Sequence, residues 1–405
     1  MAKATAKHAN LVLLVVVFVD LLGFGILGPL IPFYVERMGA SAELITFVVA
    51  LYSLAQFAAM PLWGYLSDRI GRRPVLALSM LGHALSYLLI TYADSVWLLA
   101  FARIFGGATS ANLATAYAYV ADTTTPQERA KALGRISAAF GMGFVLGPVF
   151  GGLLAGGNSV EEANFLLPAL TAAGMSFLSF AGIMLFLPES KPENAPAAPG
   201  KRRPGLIESF HTALARPVIG MMAFLCFLVI IFVAMREAIL PLWAHFVHDL
   251  SPVDIGIMLG ISGGTVTLMQ IFGIGPLTKR FGEVALVKSA IVLYALGWLG
   301  LIFSVSLMQI CLALILAAAA TAMFQTCLQS LLSQQAGAHE RGTIMAVYQS
   351  SSSLARFSGQ ALAGSAYGQI NPNAPFTLGV IAMIPAFGLM YLIGRRVRAA
   401  EKVEA

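Results

Sequence analysis

"GYLSDRIGRRP", residues 64–74, decides the fold of this chain. Asp68, Arg69, Arg72 and Arg73 crowd together there, between two long apolar runs at 44–66 and 75–92. A helix of about 20 mostly apolar residues crosses the ~30 Å hydrocarbon layer of a bilayer, and either run is of that order. A short charged turn between two such runs is the connection between two membrane helices.

The rest of the chain repeats the pattern. Its 405 residues are 58% hydrophobic and 11% charged, against roughly 25% charged in an average soluble domain, so most of it cannot face water. Twelve apolar runs are expected to span, near 10–34, 44–67, 75–92, 96–121, 134–156, 165–187, 218–246, 254–277, 284–304, 308–332, 342–367 and 376–393. They are continuous rather than alternating, which selects helices over barrel strands. The expected fold class is an all-α membrane protein with twelve transmembrane helices.

Lys and Arg set the orientation, because positive loops stay in the cytoplasm. With the N-terminus inside, Arg37 is the one basic residue in the outer loops. Both termini are therefore expected in the cytoplasm, in a multi-pass protein of the cytoplasmic membrane. The net charge of +6 comes from basic residues scattered over many short loops, which argues against a nucleic-acid partner and for the lipid bilayer. The first run continues through "FVDLLGFGILGPLIPFY" (18–34) without a small-residue cleavage site, so it reads as a helix and not a cleaved signal. Cys226, Cys311 and Cys327 fall inside spans with no metal-ligand spacing; neither metal nor cofactor is expected.

The chain is an internal duplication. "GILGPLIPFY" (25–34) falls on "EAILPLWAHF" (237–246), with Pro29 over Pro241. "GYLSDRIGR" (64–72) falls on "GPLTKRFGE" (275–283), with Gly64 over Gly275, Arg69 over Arg280 and Gly71 over Gly282. "ERAKALG" (128–134) matches "ERGTIMA" (340–346) at nearly the same offset. The polar stretch 187–217, rich in Pro and Ala, reads as a linker. The expected organisation is a six-helix bundle over 1–187, a cytoplasmic linker over 188–216 and a second bundle over 217–405. Parallel six-helix repeats are a transporter plan, with the binding site between the repeats near the midplane.

At these residues the sequence resembles a known family. "GYLSDRIGRRP" resembles the loop motif between helices 2 and 3 of the major facilitator superfamily, and Arg103 with Gly107 resembles its helix 4 motif. "GFVLGPVFGG" (143–152) resembles the helix 5 motif of its drug:proton antiporter branch. "VDLLGFGILGPLIP" and "SDRIGRRPVLALS" are similar to the tetracycline efflux proteins, which differ in having an acidic residue where Ser86 stands and another near Leu293. The resemblance implies a major facilitator fold and antiport of a small molecule against protons.

Within the helix 5 stretch, Gly143, Gly147, Gly151 and Gly152 with Pro148 put small residues on one helix face, where another backbone can approach closely. Tight packing alone is one reading. The resemblance implies another, a restraint on leak. It also implies that Asp68 lies near the N-terminus of helix 11 and that Gly64, Asp68, Arg69, Gly71, Arg72, Arg73 and Asp122 form a cytoplasmic gate. The repeat copy has Lys279 over Asp68 and Glu283 over Arg72, so charge signs are exchanged between the copies.

Ionisable residues inside membrane helices cost at least ~2.5 kcal/mol on insertion scales and so point to function. Asp20, Arg103, Arg236, Glu237 and Arg356 are of this kind. Asp20 lies ~13 Å above the inner face at 1.5 Å per residue, where desolvation disfavours the charged carboxylate. It is the first candidate for a proton carrier, with Glu237 second; a structural hydrogen-bonding role is the alternative. Arg103 keeps its proton, so it acts on an acid, an anion or backbone. On a continuous helix it shares a face with Gly107, Ser110, Ala114 and Tyr117, of which Ser110 and Tyr117 offer hydrogen bonds to a cavity. Glu237 and Arg356 lie at similar depth and are expected either to pair, with Arg236 competing, or to bind substrate or proton. Gln325 and Gln329, four apart, can present amides to the cavity. His83 reads as a packed, hydrogen-bonded histidine rather than a proton relay.

The expected function is proton-coupled efflux of small, mostly hydrophobic compounds by a monomer working through alternating access. A carrier of a specific metabolite on the same fold is the alternative. A membrane sensor or enzyme on a transporter scaffold is the alternative of another class; with no zinc spacing, nucleophile and base arrangement or phosphate-binding glycine loop in the sequence, an enzyme is not expected.

Overall fold

The computed structural model describes residues 2–110, 112–124, 126–156, 162–190, 216–335 and 341–404. Most of the expected linker lies outside them. Every regular element among the described residues is helical. Among the described residues, ten helices are long and apolar enough to cross a membrane by length and composition.

The first expected span is α1 (Ala2–Leu27) followed, after a turn, by α2 (Ile31–Arg37). α3 (Ala42–Ile70) and α4 (Arg72–Thr91) flank the charged turn. Gly71 joins them at φ +103°, a conformation open to glycine and strained for other residues. The fourth expected span is divided into α5 (Val96–Thr109) and α6 (Asn112–Thr123). α7 (Pro126–Ala155), α8 (Leu166–Phe186) and α9 (Pro217–His248) follow. The eighth span is α10 (Pro252–Leu268), a five-residue π-helical segment and α11 (Ile274–Phe281). α12 (Glu283–Ile302) and α13 (Leu307–Gln335) are continuous, and Gly282 before α12 repeats the positive φ of Gly71 at +77°. α14 (Arg341–Ser365) is an unbroken helix at the eleventh span, whose serine-rich middle keeps it less apolar than the ten. α15 (Ala374–Glu404) ends the described chain.

The helices form two compact units, one of residues 1–199 with 244–264 and one of 200–243 with 265–405. The contact boundary thus departs from the sequence repeat at 244–264, because α10 packs closely on α7. In the first unit Leu13, Val16 and Val17 of α1 meet Leu76 and Met80 of α4, Tyr119 and Val120 of α6, and Ile183 of α8 in one core cluster. In the second, Tyr294 and Trp298 of α12 pack at 5.3 Å between ring centres and Tyr294 meets Phe324 of α13 edge-on at 6.2 Å. Trp243 packs edge-on against Phe376 and donates its ring N–H to Asn373 Oδ1 at 2.8 Å. Large apolar side chains such as Leu178, Leu185, Phe186 and Ile384 are exposed, an arrangement costly in water and stable against lipid chains.

Candidate functional site

Charged side chains that the helices hold away from solvent form two clusters, one in each unit, and a third set lies at the 64–74 turn. In the first unit Asp20 of α1 is 8% exposed and His83 of α4 is 3% exposed. His83 Nδ1 lies 2.7 Å from Asp20 Oδ1. Tyr87, one turn beyond His83, holds its ring 6.1 Å from the imidazole. Gly23 makes room for that ring, since a Cβ there would lie 3.3 Å from Tyr87 Cε2.

Arg103 of α5 is 7% exposed and forms no ion pair among the described residues. Its guanidinium stacks 4.6 Å above the Tyr52 ring and donates to the Val49 carbonyl at 3.2 Å, both on α3. Arg103 is thus held by α3, through Tyr52 and Val49, and makes no ion pair with Asp20.

The break after α5 explains where Ser110 goes. A helix end leaves carbonyls without intrahelical partners, and α3 and α4 supply donors: Trp63 donates to the Ala108 carbonyl at 2.6 Å and the Ser79 hydroxyl to that of Thr109. Gln56 donates to Ser110 Oγ at 2.9 Å. The continuous register expected for Arg103, Ser110 and Tyr117 stops there. Tyr117 belongs to α6 and is exposed; the side chain of Ala114 lies outside the described residues.

In the second unit Arg356 Nη1 of α14 lies 2.7 Å from Glu237 Oε2 of α9. Arg236 Nη2 lies 3.8 Å from the other oxygen, too far for a hydrogen bond. Pro241 lacks the N–H that would bond the Glu237 carbonyl, so the helix is weakened where its charge sits. Tyr348 of α14 and Cys226 of α9 are both buried. Gln325 and Gln329 are both half-buried.

At the 64–74 turn, Arg72 binds Asp68 Oδ1 at 2.7 Å and Asp122 Oδ2 of α6 at 3.0 Å. It also donates to Ser67 Oγ at 3.1 Å. Glu189 accepts from the backbone N–H groups of Arg72 and Arg73 at 2.9 and 3.1 Å, placing a carboxylate at the positive end of α4. Arg73 donates to the Met184 carbonyl and Arg69 to the Tyr65 hydroxyl. Gly64 is exposed, and a Cβ on it would meet nothing within 4 Å. In the second unit Glu283 accepts from Ser330 at 2.5 Å and Gln334 at 2.9 Å, both on α13. The exchanged charge signs thus have different partners: carboxylates meet an arginine in one unit, while neutral donors meet a carboxylate in the other.

The glycines of α7 use two faces. A Cβ on Gly143 would lie 2.7 Å from the Phe18 carbonyl oxygen and one on Gly147 2.6 Å from Gly25 Cα. Gly151 faces the Ile26 carbonyl, so this face holds α1 at backbone distance. Gly152 and Pro148 face α10: a Cβ on Gly152 would lie 2.5 Å from the Pro252 oxygen, and one on Gly256 2.5 Å from that of Pro148.

Tyr52 and Glu189 are among the members of these clusters that sequence reasoning did not select, and His83, read there as packed and hydrogen-bonded, has Asp20 as its partner. A lone histidine in a span carries no sequence mark that separates it from packing. Glu189 stands at the start of a polar stretch where charge is unremarkable.

Buried ionisable clusters held on helices long and apolar enough to cross a membrane are the plan of a polytopic carrier. The chain belongs to the Major Facilitator Superfamily, whose model matches residues 13–273 and 225–405. It is 32% identical over 372 residues to the class C tetracycline resistance protein of Escherichia coli, covering 89% of this chain and 90% of that protein. It is 27% identical over 387 residues to multidrug resistance protein 2 of Bacillus subtilis (strain 168), covering 95% and 94%. These relatives set it among the drug-efflux members. The crystal structure of the human organic anion transporter MFSD10 superposes with a TM-score of 0.71 at 24% identity, covering 95% of this chain and 99% of that one, and shares the fold.

Proposed function

We propose that this protein exports small, mostly hydrophobic drug-like compounds across the cytoplasmic membrane in exchange for protons, by alternating access and as a monomer with both termini in the cytoplasm. The observation that carries the reading is the Asp20 and His83 pair, 2.7 Å apart and withdrawn from solvent on two membrane helices. Two groups able to share one proton there meet the requirement for coupling. The relatives named for tetracycline and multidrug resistance support the cargo class.

In this reading Asp20 carries the proton and Arg103 adjusts it from a distance. Glu237, facing two guanidinium groups, serves the substrate side first and the proton second. Protonation favours one access state and substrate the other, since a ligand that binds both equally shifts nothing. The turn at 64–74, with Asp122, holds the cytoplasmic side in one state.

Transport in proteoliposomes under an imposed pH gradient tests this, with a panel of tetracyclines, quinolones, phenicols and lipophilic cations. Gradient-driven movement of at least one class is expected. Absence of counterflow for every compound overturns proton antiport of drugs.

A further inference from the structure

Among the described residues, the charged cluster of the second unit holds one more cation than carboxylate. Arg236 and Arg356 face one carboxylate, Glu237. Among the described residues, the other ionisable side chains that interact with this cluster are Tyr294 of α12, Tyr348 of α14 and Cys226 of α9. None of these offers a carboxylate. Arginine does not lose its proton in proteins, so the count is two cations against one anion.

The geometry leaves that excess in a definite place. Glu237 gives its near oxygen to Arg356 at 2.7 Å, and Arg236 stays 3.8 Å from the other. Arg236 is 5% exposed and its Nε has no acceptor among the described residues. A buried guanidinium N–H without an acceptor carries a desolvation cost that a second anion removes. The Glu237 and Arg356 side chains keep 31% and 34% of their exposure. The cluster is thus sealed on the Arg236 side and reachable on the Arg356 side.

We infer that this cluster is a binding site for the acidic group of an organic anion, so that the preferred substrates carry a carboxylate or a comparable acid on an apolar body. The inference rests on the efflux reading and narrows its cargo. An arriving carboxylate engages Arg356 in the planar two-bond geometry that guanidinium favours. Glu237 then turns from sole partner to competitor, and Arg236 supplies the second charge. A substrate without an acidic group leaves the excess charge where it was.

The test uses purified full-length protein and three probes of one shape: 2-naphthoate, 2-naphthylmethanol and 2-naphthylmethylammonium, with binding measured by calorimetry at low and high chloride. Naphthoate is expected to bind about tenfold or more tightly than the alcohol, the size of one hydrogen bond to a charged group. Arg236→Gln and Arg356→Gln each remove that preference, and Arg356→Lys restores part of it. Glu237→Gln tightens naphthoate binding, because it deletes the competitor; this variant keeps the test informative if Arg236→Gln fails to fold. Equal binding of acid and alcohol, or weaker naphthoate binding by Glu237→Gln, overturns the inference. So does complete displacement of naphthoate by chloride, which would make the site one for inorganic anions. Gradient-driven transport of neutral or cationic drugs without acid preference sinks this inference and leaves the efflux reading standing. Acid preference without gradient-driven transport does the reverse.

Discussion

His83 Nδ1 and Asp20 Oδ1, 2.7 Å apart, join α4 to α1 at a point where neither residue is more than 8% exposed. The bond fixes the imidazole and gives the carboxylate a partner on another helix. A proton entering this pair changes the charge of both groups' surroundings at once, so the two are expected to act together. Asp20→Asn keeps the shape and removes the exchangeable proton; gradient-driven transport is expected to stop while substrate binding remains. His83→Gln keeps a hydrogen-bonding side chain, and transport is expected to persist with an altered pH profile. The measurement is initial rate in proteoliposomes over a series of internal and external pH values. An unchanged profile for His83→Gln would reduce the histidine to packing.

Arg72 holds two carboxylates from different helices, with Asp68 42% and Asp122 26% exposed at the side chain. Exposed pairs of this kind contribute up to about 1 kcal/mol each, so the network is small in the total stability. It is large in a carrier's cycle, where about 1.4 kcal/mol taken from one state changes its population tenfold. Arg72→Ala is therefore expected to insert and fold, with little change in thermal unfolding, and to lower transport about tenfold. Asp68→Asn should lose transport in the same direction. Glu189→Ala removes the acceptor at the start of α4, a loss of about 0.5–2 kcal/mol for helix caps, and is expected to register in thermal unfolding as well. Normal transport by Arg72→Ala would assign the turn to topology alone.

Much of this was legible in the sequence because burial of charge in lipid is costly enough to mark function. Glu237 and Arg356 stand out as charges in apolar runs, and they pair. The charge crowded into 64–74 marks the turn, but the contact of Asp68 with Arg72 depends on how Gly71, at φ +103°, folds α4 back on α3. The break at Ser110 was not legible, because the groups that satisfy it come from Trp63, Gln56 and Ser79 on other helices. An apolar run with small residues reads as one helix until those donors are known. Glu189 was missed for the same reason, and His83 was read as packed and hydrogen-bonded without its partner: both partners are distant in the chain.

The division of the fourth span gives its own prediction. Trp63 Nε1 donates to the Ala108 carbonyl at 2.6 Å, and Phe at that position keeps most of the ring while leaving the carbonyl without a donor. The cost is about 1–3 kcal/mol for a buried acceptor left unmade. Trp63→Phe is expected to lower the unfolding temperature in detergent and to speed amide exchange around Ala108. Unchanged exchange there would show that water replaces the indole at no cost.

Two glycines that look alike in sequence should part in experiment. Gly147 sits where a Cβ would approach Gly25 Cα to 2.6 Å, and both partners of that contact are backbone, which cannot yield by rotating a side chain. Gly147→Val is expected to destabilise by about 1–3 kcal/mol, the range for overpacking, with reduced yield of folded protein and a lower unfolding temperature. Gly64 meets nothing within 4 Å, and inside α3 an alanine is favoured over glycine by roughly 0.5–1 kcal/mol. Gly64→Ala is therefore expected to fold at least as stably as the parent. A stable Gly64→Ala with impaired transport would locate the need for that glycine in another state of the cycle, whereas a stable Gly147→Val would remove the backbone contact of α1 and α7 from the account of the fold.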